Sequence, residues 1–277
     1  MRRYLCVWLA AVLLLCCGCS APAAAPQEEV LPPSQETPAE ETNPPAAQEE
    51  VPEPEPPASE EAAAVRHVVV LDPGHQDQGN YDTEPNGPGS SVEKAKVSSG
   101  TQGQFTGLAE YELNLQIGLQ LREELEARGY TVYLTRETND VDLSNVERAQ
   151  YAASVGGEIL VRLHANGSEN PATSGALMVC QSPDNPYQDQ YTLSRLLSDC
   201  ILETYCPRTG IADQGVWETD TMTGLNWCEI PSTIVEMGYM TNESDDTNMA
   251  DPEFQKRMVQ GIADGIELYF TRCADPA

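Results

Sequence analysis

Positive charge is scarce in this 277-residue chain: 15 Lys and Arg stand against 44 Asp and Glu, a formal net charge of −29. Phosphate backbones are bound where bases cluster, so the balance argues against nucleic acid as a partner and against simple electrostatic adhesion to an anionic wall. Histidine is scarcer still, at three residues, which limits any imidazole site to His67, His75 and His164. Cysteine occurs nine times, but Cys6, Cys16, Cys17 and Cys19 fall in the first 19 residues. The other five form no CxxC pair, so a cysteine zinc site is disfavoured. Five is odd, so at least one thiol is free in a monomer, and the spacing singles out no disulfide.

The opening stretch MRRYLCVWLAAVLLLCCGC has two arginines, an apolar run too short for a comfortable membrane span, and then small residues. That is the build of a secretory signal peptide. Its Gly18-Cys19-Ser20 end resembles a bacterial lipobox, with Cys16 where leucine is usual. Residues 1–19 are therefore read as a signal peptide with a lipobox-like end. The expected outcome is an extracytoplasmic protein of a bacterial cell envelope, held to the membrane by lipid on Cys19 or through its signal anchor, or else secreted. Residues 20–65 carry eleven Glu, no base and many Pro. Such a segment cannot bury enough apolar surface to offset ordering entropy and is expected to be disordered. Proline and like-charge repulsion extend it, giving a reach on the order of 140 Å. Residues 66–277 remain as one domain, long enough for a sizeable core.

Within that domain His67 to Leu71 (HVVVL) is a continuous apolar run, as expected of a strand buried on both faces. Residues 76–107 read as a long loop. Helices are expected at Glu110–Arg128, Leu143–Ser154, Tyr187–Tyr205 and Pro252–Phe270. Further strands are expected at Tyr130–Thr135, Glu158–Leu163, Ala176–Gln181 and Ser232–Glu236. The alternation implies an α/β fold, a single-domain sandwich with a mainly parallel central sheet flanked by helices. Sites in such sheets gather beyond the carboxyl ends of the strands.

Two histidines fall at that edge. His75 follows the first strand in LDPGH, and His164 ends the third in VRLHAN. His67 opens a strand and reads as a structural residue. A hydrolytic zinc needs three protein ligands and one open position. Glu110, which opens a helix in TGLAEYELNL, is the best third candidate; the helix dipole alone would also favour it there. Glu112 is a weaker alternative. A separate group must take and return a proton. Glu236, closing the apolar strand STIVE, suits that role, although a buried salt bridge would also explain it. Side chains two apart on a strand share a face. Arg162 therefore points the same way as His164, either to bind a substrate carboxylate or to pair with a neighbouring acid. Asn166 either bonds substrate or caps the turn after His164. Asp72 orders the Pro73-Gly74 turn or orients a ligand.

Six blocks in order carry a resemblance. LDPGH holds His75, GLAEYELNL holds Glu110, LTRET holds Arg136, NVERAQYA holds Arg148, VRLHANGS holds His164 and STIVEMGYMTNESD holds Glu236. The stretch from Val68 to Phe270 resembles the zinc-dependent N-acetylmuramoyl-L-alanine amidases of the Amidase_3 type. The resemblance implies one Zn²⁺ held by His75, Glu110 and His164, with Glu236 as the catalytic glutamate. It implies peptidoglycan as substrate, cut between the lactoyl group of N-acetylmuramic acid and the L-alanine of the stem peptide. The alternatives are a non-catalytic wall-binding or regulatory homologue, and a zinc peptidase acting within the stem peptide.

Two departures matter. Relatives often have a short glycine-rich stretch between the first histidine and the glutamate, whereas 34 residues (76–109) intervene here. They form a lid, a substrate wall or a decorated surface loop. Some relatives carry a later inhibitory helix that an activator protein displaces. No clear equivalent is visible, although residues 207–231 are ambiguous, so an activator remains an open partner.

Overall fold

A computed structural model of the chain describes residues 66–275. The signal segment and linker read from residues 1–65 lie outside the described residues. The elements run β1 (Val68–Pro73), β2 (Asn80–Pro85), β3 (Glu93–Val97), α1 (Glu110–Ala127), β4 (Thr131–Leu134), α2 (Asn145–Ser154) and β5 (Ile159–Asn166). They continue with β6 (Ala176–Cys180), α3 (Tyr191–Thr209), β7 (Asp213–Glu218), α4 (Thr223–Asn226), β8 (Ser232–Tyr239), α5 (Glu243–Met249) and α6 (Pro252–Ala274).

Six strands form one sheet in the order β4-β1-β5-β8-β6-β7. The first four are mutually parallel, β6 lies antiparallel to β8, and β7 returns parallel to β6. The mainly parallel α/β sandwich is therefore present. From β1 the chain goes outward to β4 and then crosses back to β5 on the other side of β1. The strand order reverses between β1 and β5, and a crevice opens at their carboxyl ends.

The apolar runs of β1 and β5 are explained by burial on both faces. Val69, Leu71, Ile159, Val161 and Leu163 join the large core with α1, α3 and α6. Val70 and Leu160 face the other way, into a smaller cluster with Ala149, Ala152 and Cys228. On this second face the side chains change character toward the carboxyl edge, from Val70 and Leu160 to Asp72 beside Arg162, and then to His164 beside Glu236. The helices have local reasons to begin where they do. Ser144 accepts from Glu147 N while Glu147 accepts from Ser144 N, a reciprocal cap on α2. Asp251 caps α6 ahead of Pro252.

Several boundaries differ from expectation. Residues 76–107 contain a two-stranded antiparallel hairpin, β2 with β3. NYDTEP and EKAKV lack the apolar alternation that marks a half-buried strand, so the pattern was silent. β7 and α4 arise in the ambiguous segment 207–231. α3 begins at Tyr191, four residues later than expected, because Asn185 Oδ1 takes the Tyr187 and Gln188 amides into a turn. All five cysteines of residues 66–277 are free. His67 bonds Glu158 at 2.7 Å and stacks on Phe270, the structural role expected of it.

Helices α3 and α6 cross closely because Gly265 lies at the contact; a Cβ there would stand 2.5 Å from Ile201 Cα. Alanine exceeds glycine in helix preference by about 1 kcal/mol, whereas forcing atoms into a packed core costs about 1–3 kcal/mol. Gly265→Ala should therefore lower the thermal midpoint. A rise would show that the two helices separate freely.

Candidate metal centre

Three side chains from distant parts of the chain meet at the crevice. His75 Nε2 lies 3.0 Å from Glu110 Oε1. His164 Nδ1 lies 3.2 Å from that same oxygen and 3.1 Å from His75 Nε2. Among the described residues this is the one His/Cys/Asp/Glu cluster whose donor atoms converge within 4.8 Å. Ser98 O accepts from His75 Nδ1 at 2.9 Å. A carbonyl can only accept, so in neutral His75 the proton sits on Nδ1 and the Nε2 lone pair turns inward. Burial lowers the His164 pKa to about 4, which keeps that ring neutral. Burial would raise the Glu110 carboxyl, but its contacts with His164 and His75 hold it well below the usual range, so it is ionised. Two imidazole nitrogens and a carboxylate oxygen thus face one point, an arrangement that suits a cation. Nitrogen and oxygen donors of this kind suit a first-row divalent ion.

Each donor is fixed by its surroundings. Glu110 sits in the first turn of α1, where its Oε2 also accepts Thr101 N at 2.8 Å and its Oε1 accepts Ala165 N at 3.1 Å. His164 lies flat against Gly74, where a Cβ would meet its ring at 2.2 Å. His75 has φ 61°, the left-handed region, and is the one non-glycine described residue there.

That strained turn is held by three buried arginines. Arg136 donates to Pro73 O at 2.7 Å and Gly74 O at 3.0 Å. Arg148 donates to Pro73 O and His75 O, each at 3.0 Å, and to Asp72 Oδ1 at 2.8 Å. Arg162 Nε donates to Asp72 Oδ2 at 2.7 Å. Burial would raise the Asp72 carboxyl, but Arg148 and Arg162 hold it far below the ordinary carboxylate range.

Glu236 stands next to His164 across the β5–β8 ladder. Its side chain is half-buried with Oε2 shielded from water, and burial followed by the Glu110 charge pushes its pKa to about 8. Among the described residues, three buried side-chain polar atoms lack a partner: Glu236 Oε2, His164 Nε2 and Asn114 Oδ1. Each such atom costs about 1–3 kcal/mol. All three belong to the metal site or, for Asn114, to the residue that donates to Gly74 O at 3.2 Å. Clustering of that cost in one place marks a working site.

His75, His164 and Glu236 line one end of a cavity of about 380 Å³. A larger cavity of about 670 Å³ is lined by Asp77, Asp82, Asp140 and Asp142 and contains none of these groups. The hairpin forms one wall of the smaller cavity, through Lys94 and Ala95, and residues 221–224 form the other. The hairpin is tied down. Asn145 donates to Lys96 O at 2.7 Å, Trp227 Nε1 to Pro85 O at 2.8 Å, Asn226 to Asn86 O at 2.8 Å, and Asn86 to Asp220 O at 3.1 Å. Residues 76–109 thus supply a fixed wall.

Of the residues singled out from sequence, His75, Glu110, His164 and Glu236 come together. Glu112 does not join them; it accepts Ala109 N at 3.4 Å. Arg162 lines the same cavity and also makes the Asp72 ion pair. Asn166 stands outside the cavity lining, with its Oδ1 accepting Gly167 N at 2.8 Å. Ser98, Lys94 and Asn145 were missed. The first acts through a backbone carbonyl, and the others belong to a polar hairpin and a helix start with no site pattern. Arg136 and Arg148 carried motifs without an assigned role; the structure gives them one.

A mainly parallel α/β sheet here carries, at its switch point, a His–Glu–His cluster able to hold a metal ion, with a half-buried glutamate alongside. Residues 69–268 match the N-acetylmuramoyl-L-alanine amidase family, Amidase_3 type, and the chain belongs to it. It is 30% identical to the N-acetylmuramoyl-L-alanine amidase Rv3717 of Mycobacterium tuberculosis, over 72% of this chain and 84% of that protein. It is 28% identical to the amidase LytC of Bacillus subtilis, over 74% of this chain but only 36% of LytC. Among solved structures, the amidase Ami1 of Mycobacterium smegmatis superposes with a TM-score of 0.67 at 26% identity, covering 74% of this chain and 97% of Ami1.

Asp72 offers a stability test. Its folded-state pKa lies below the ordinary 3.8, so its contribution is complete above that pH and is lost as pH falls below it. Asp72→Asn should lose about 3–5 kcal/mol at pH 7, because it leaves two buried guanidiniums without their anion. Denaturant titrations should show the gap from wild type closing below about pH 4. A gap independent of pH would contradict the ion-pair assignment.

Proposed function

We propose that this protein is an exported zinc amidase that hydrolyses the bond between the lactoyl group of N-acetylmuramic acid and the L-alanine of the peptidoglycan stem peptide. The observation that carries the reading is the convergence of His75 Nε2, Glu110 Oε1 and His164 Nδ1 at separations of 3.0–3.2 Å. Tetrahedral zinc with bonds near 2.0 Å spaces its ligands about 3.3 Å apart, so the donor set suits the ion in type and spacing. Membership in the amidase family supports the substrate class.

Zinc held there would supply a Lewis acid and a water of lowered pKa. The remaining chemistry falls to the chain. Glu236 is half-buried at the cavity and has one shielded, unpartnered oxygen. Its pKa is raised to about 8 without a cation, and a neighbouring cation lowers such a value again. Near neutral pH it can therefore accept a proton from the attacking water and return it to the departing alanine nitrogen. The fixed hairpin wall and residues 221–224 orient the peptide and limit water in the cleft. Arg162 has little left for substrate, since it is buried with Nε bound to Asp72 and Nη2 to Asn145, each at 2.7 Å, and Nη1 packed against Gly224. Asn166 serves the turn after β5. Export rests on the N-terminal signal, with lipid on Cys19 as the anchor or plain secretion as the alternative.

Glu236→Ala should keep one zinc per chain yet lose at least about 100-fold in kcat/KM, the usual scale of a general acid–base contribution. Metal analysis beside digestion of purified peptidoglycan checks both parts, and wild-type turnover would contradict the role. The peptides released by wild type should begin with L-alanine. Another amino terminus would indicate cleavage inside the stem.

A further inference from the structure

The domain is acidic, and the cleft must still accept a peptide that itself bears carboxylates. Cations near the triad are therefore the groups to examine. Arg162 lies in the cavity lining, but Asp72 neutralises it at 2.7 Å. Lys94, on the hairpin wall, is the other cation of that lining. Its cross-strand neighbour is Glu84, the residue that would ordinarily pair with it. Glu84 is engaged elsewhere: its side chain is buried, and Oε1 accepts Val146 N at 3.2 Å at the start of α2. Lys96, two places along, pairs with Asp82 at 4.0 Å. No carboxylate among the described residues lies within ion-pair reach of Lys94. The cleft thus holds one exposed, uncompensated ammonium, on a wall fixed by the Asn145, Trp227 and Asn226 hydrogen bonds.

We infer that Lys94 is a specificity-determining residue that binds a carboxylate of the substrate peptide. Lys94 lines the same cavity as His75 and His164, so the carboxylate we assign to it is the one nearest the scissile amide, that of the second stem residue. This inference rests on the amidase reading. The pinned backbone keeps the ordering cost to the lysine side chain alone. Chemically, the site distinguishes a peptide with a free α-carboxylate at its second residue from one amidated there.

The test uses two soluble muropeptides that differ only in that group, carboxylate or carboxamide. They are digested by the zinc-loaded wild-type protein, Lys94→Gln and Lys94→Arg, with release of the L-alanyl peptide as the readout. Wild type should favour the carboxylate by about five- to tenfold, expressed mainly in KM, as expected of a partly exposed ion pair. Lys94→Gln should abolish the preference and Lys94→Arg should retain it. Lys94 is exposed, so both variants should melt with wild type. Equal rates on the two substrates by wild type, or an undiminished preference in Lys94→Gln, would overturn the inference while leaving the amidase reading intact. If wild type released no L-alanyl peptide from either substrate, the amidase reading would fail and this inference with it.

Discussion

The geometry of the site depends on how the turn after β1 is held. Three consecutive carbonyls, from Pro73 to His75, point into protein where water cannot satisfy them, and His75 adopts a backbone conformation unfavourable to a residue with a Cβ. Arg136 and Arg148 supply the missing donors. Burying two guanidiniums, and Arg162 as a third, would itself be prohibitive without an anion, and Asp72 provides it from inside the sheet. Strand β1, α2 and β5 are thereby tied to one carboxylate. His75 is aimed by that network rather than by its own preference.

The same economy governs the candidate metal centre. Two imidazoles and an ionised carboxylate stand in mutual contact, and the orphaned oxygen of Glu236 adds the cost of an unpartnered buried polar atom. Fold stability is spent on polar groups that only ligands complete. The cost is confined to the carboxyl edge of the sheet, while the large core on the other face of β1 and β5 consists of tightly packed aliphatic and aromatic side chains.

Much of this was legible in the sequence where one physical rule dominated. HVVVL declares a doubly buried strand, and the apolar stripes Leu113, Ile117, Leu121 and Phe254, Met258, Ile262, Ile266 declare helices. Two histidines at strand ends mark the edge where the crevice opens. Glu110 and Glu236 were less plain, because a helix dipole or a salt bridge would explain each equally well. The ordered set of motifs favoured them, and the fold brings Glu110 into contact with both histidines and sets Glu236 beside His164. The hairpin was illegible because β2 and β3 are polar on both faces; they are strands by virtue of tertiary hydrogen bonds to Asn145, Asn226 and Trp227. Arg162 shows how a period-two argument can be right about direction and still leave the partner open: it shares His164's face, and it also neutralises Asp72. Ser98 acts through its carbonyl, which no side-chain pattern encodes.

The central claim is spatial, and diffraction from zinc-soaked crystals at the zinc absorption edge tests it most directly. The account predicts a single anomalous peak about 2 Å from His75 Nε2, Glu110 Oε1 and His164 Nδ1, with a solvent molecule in the fourth place and Glu236 alongside but not bound. A peak elsewhere, or a fourth position taken by Glu236 or another protein donor, would contradict it.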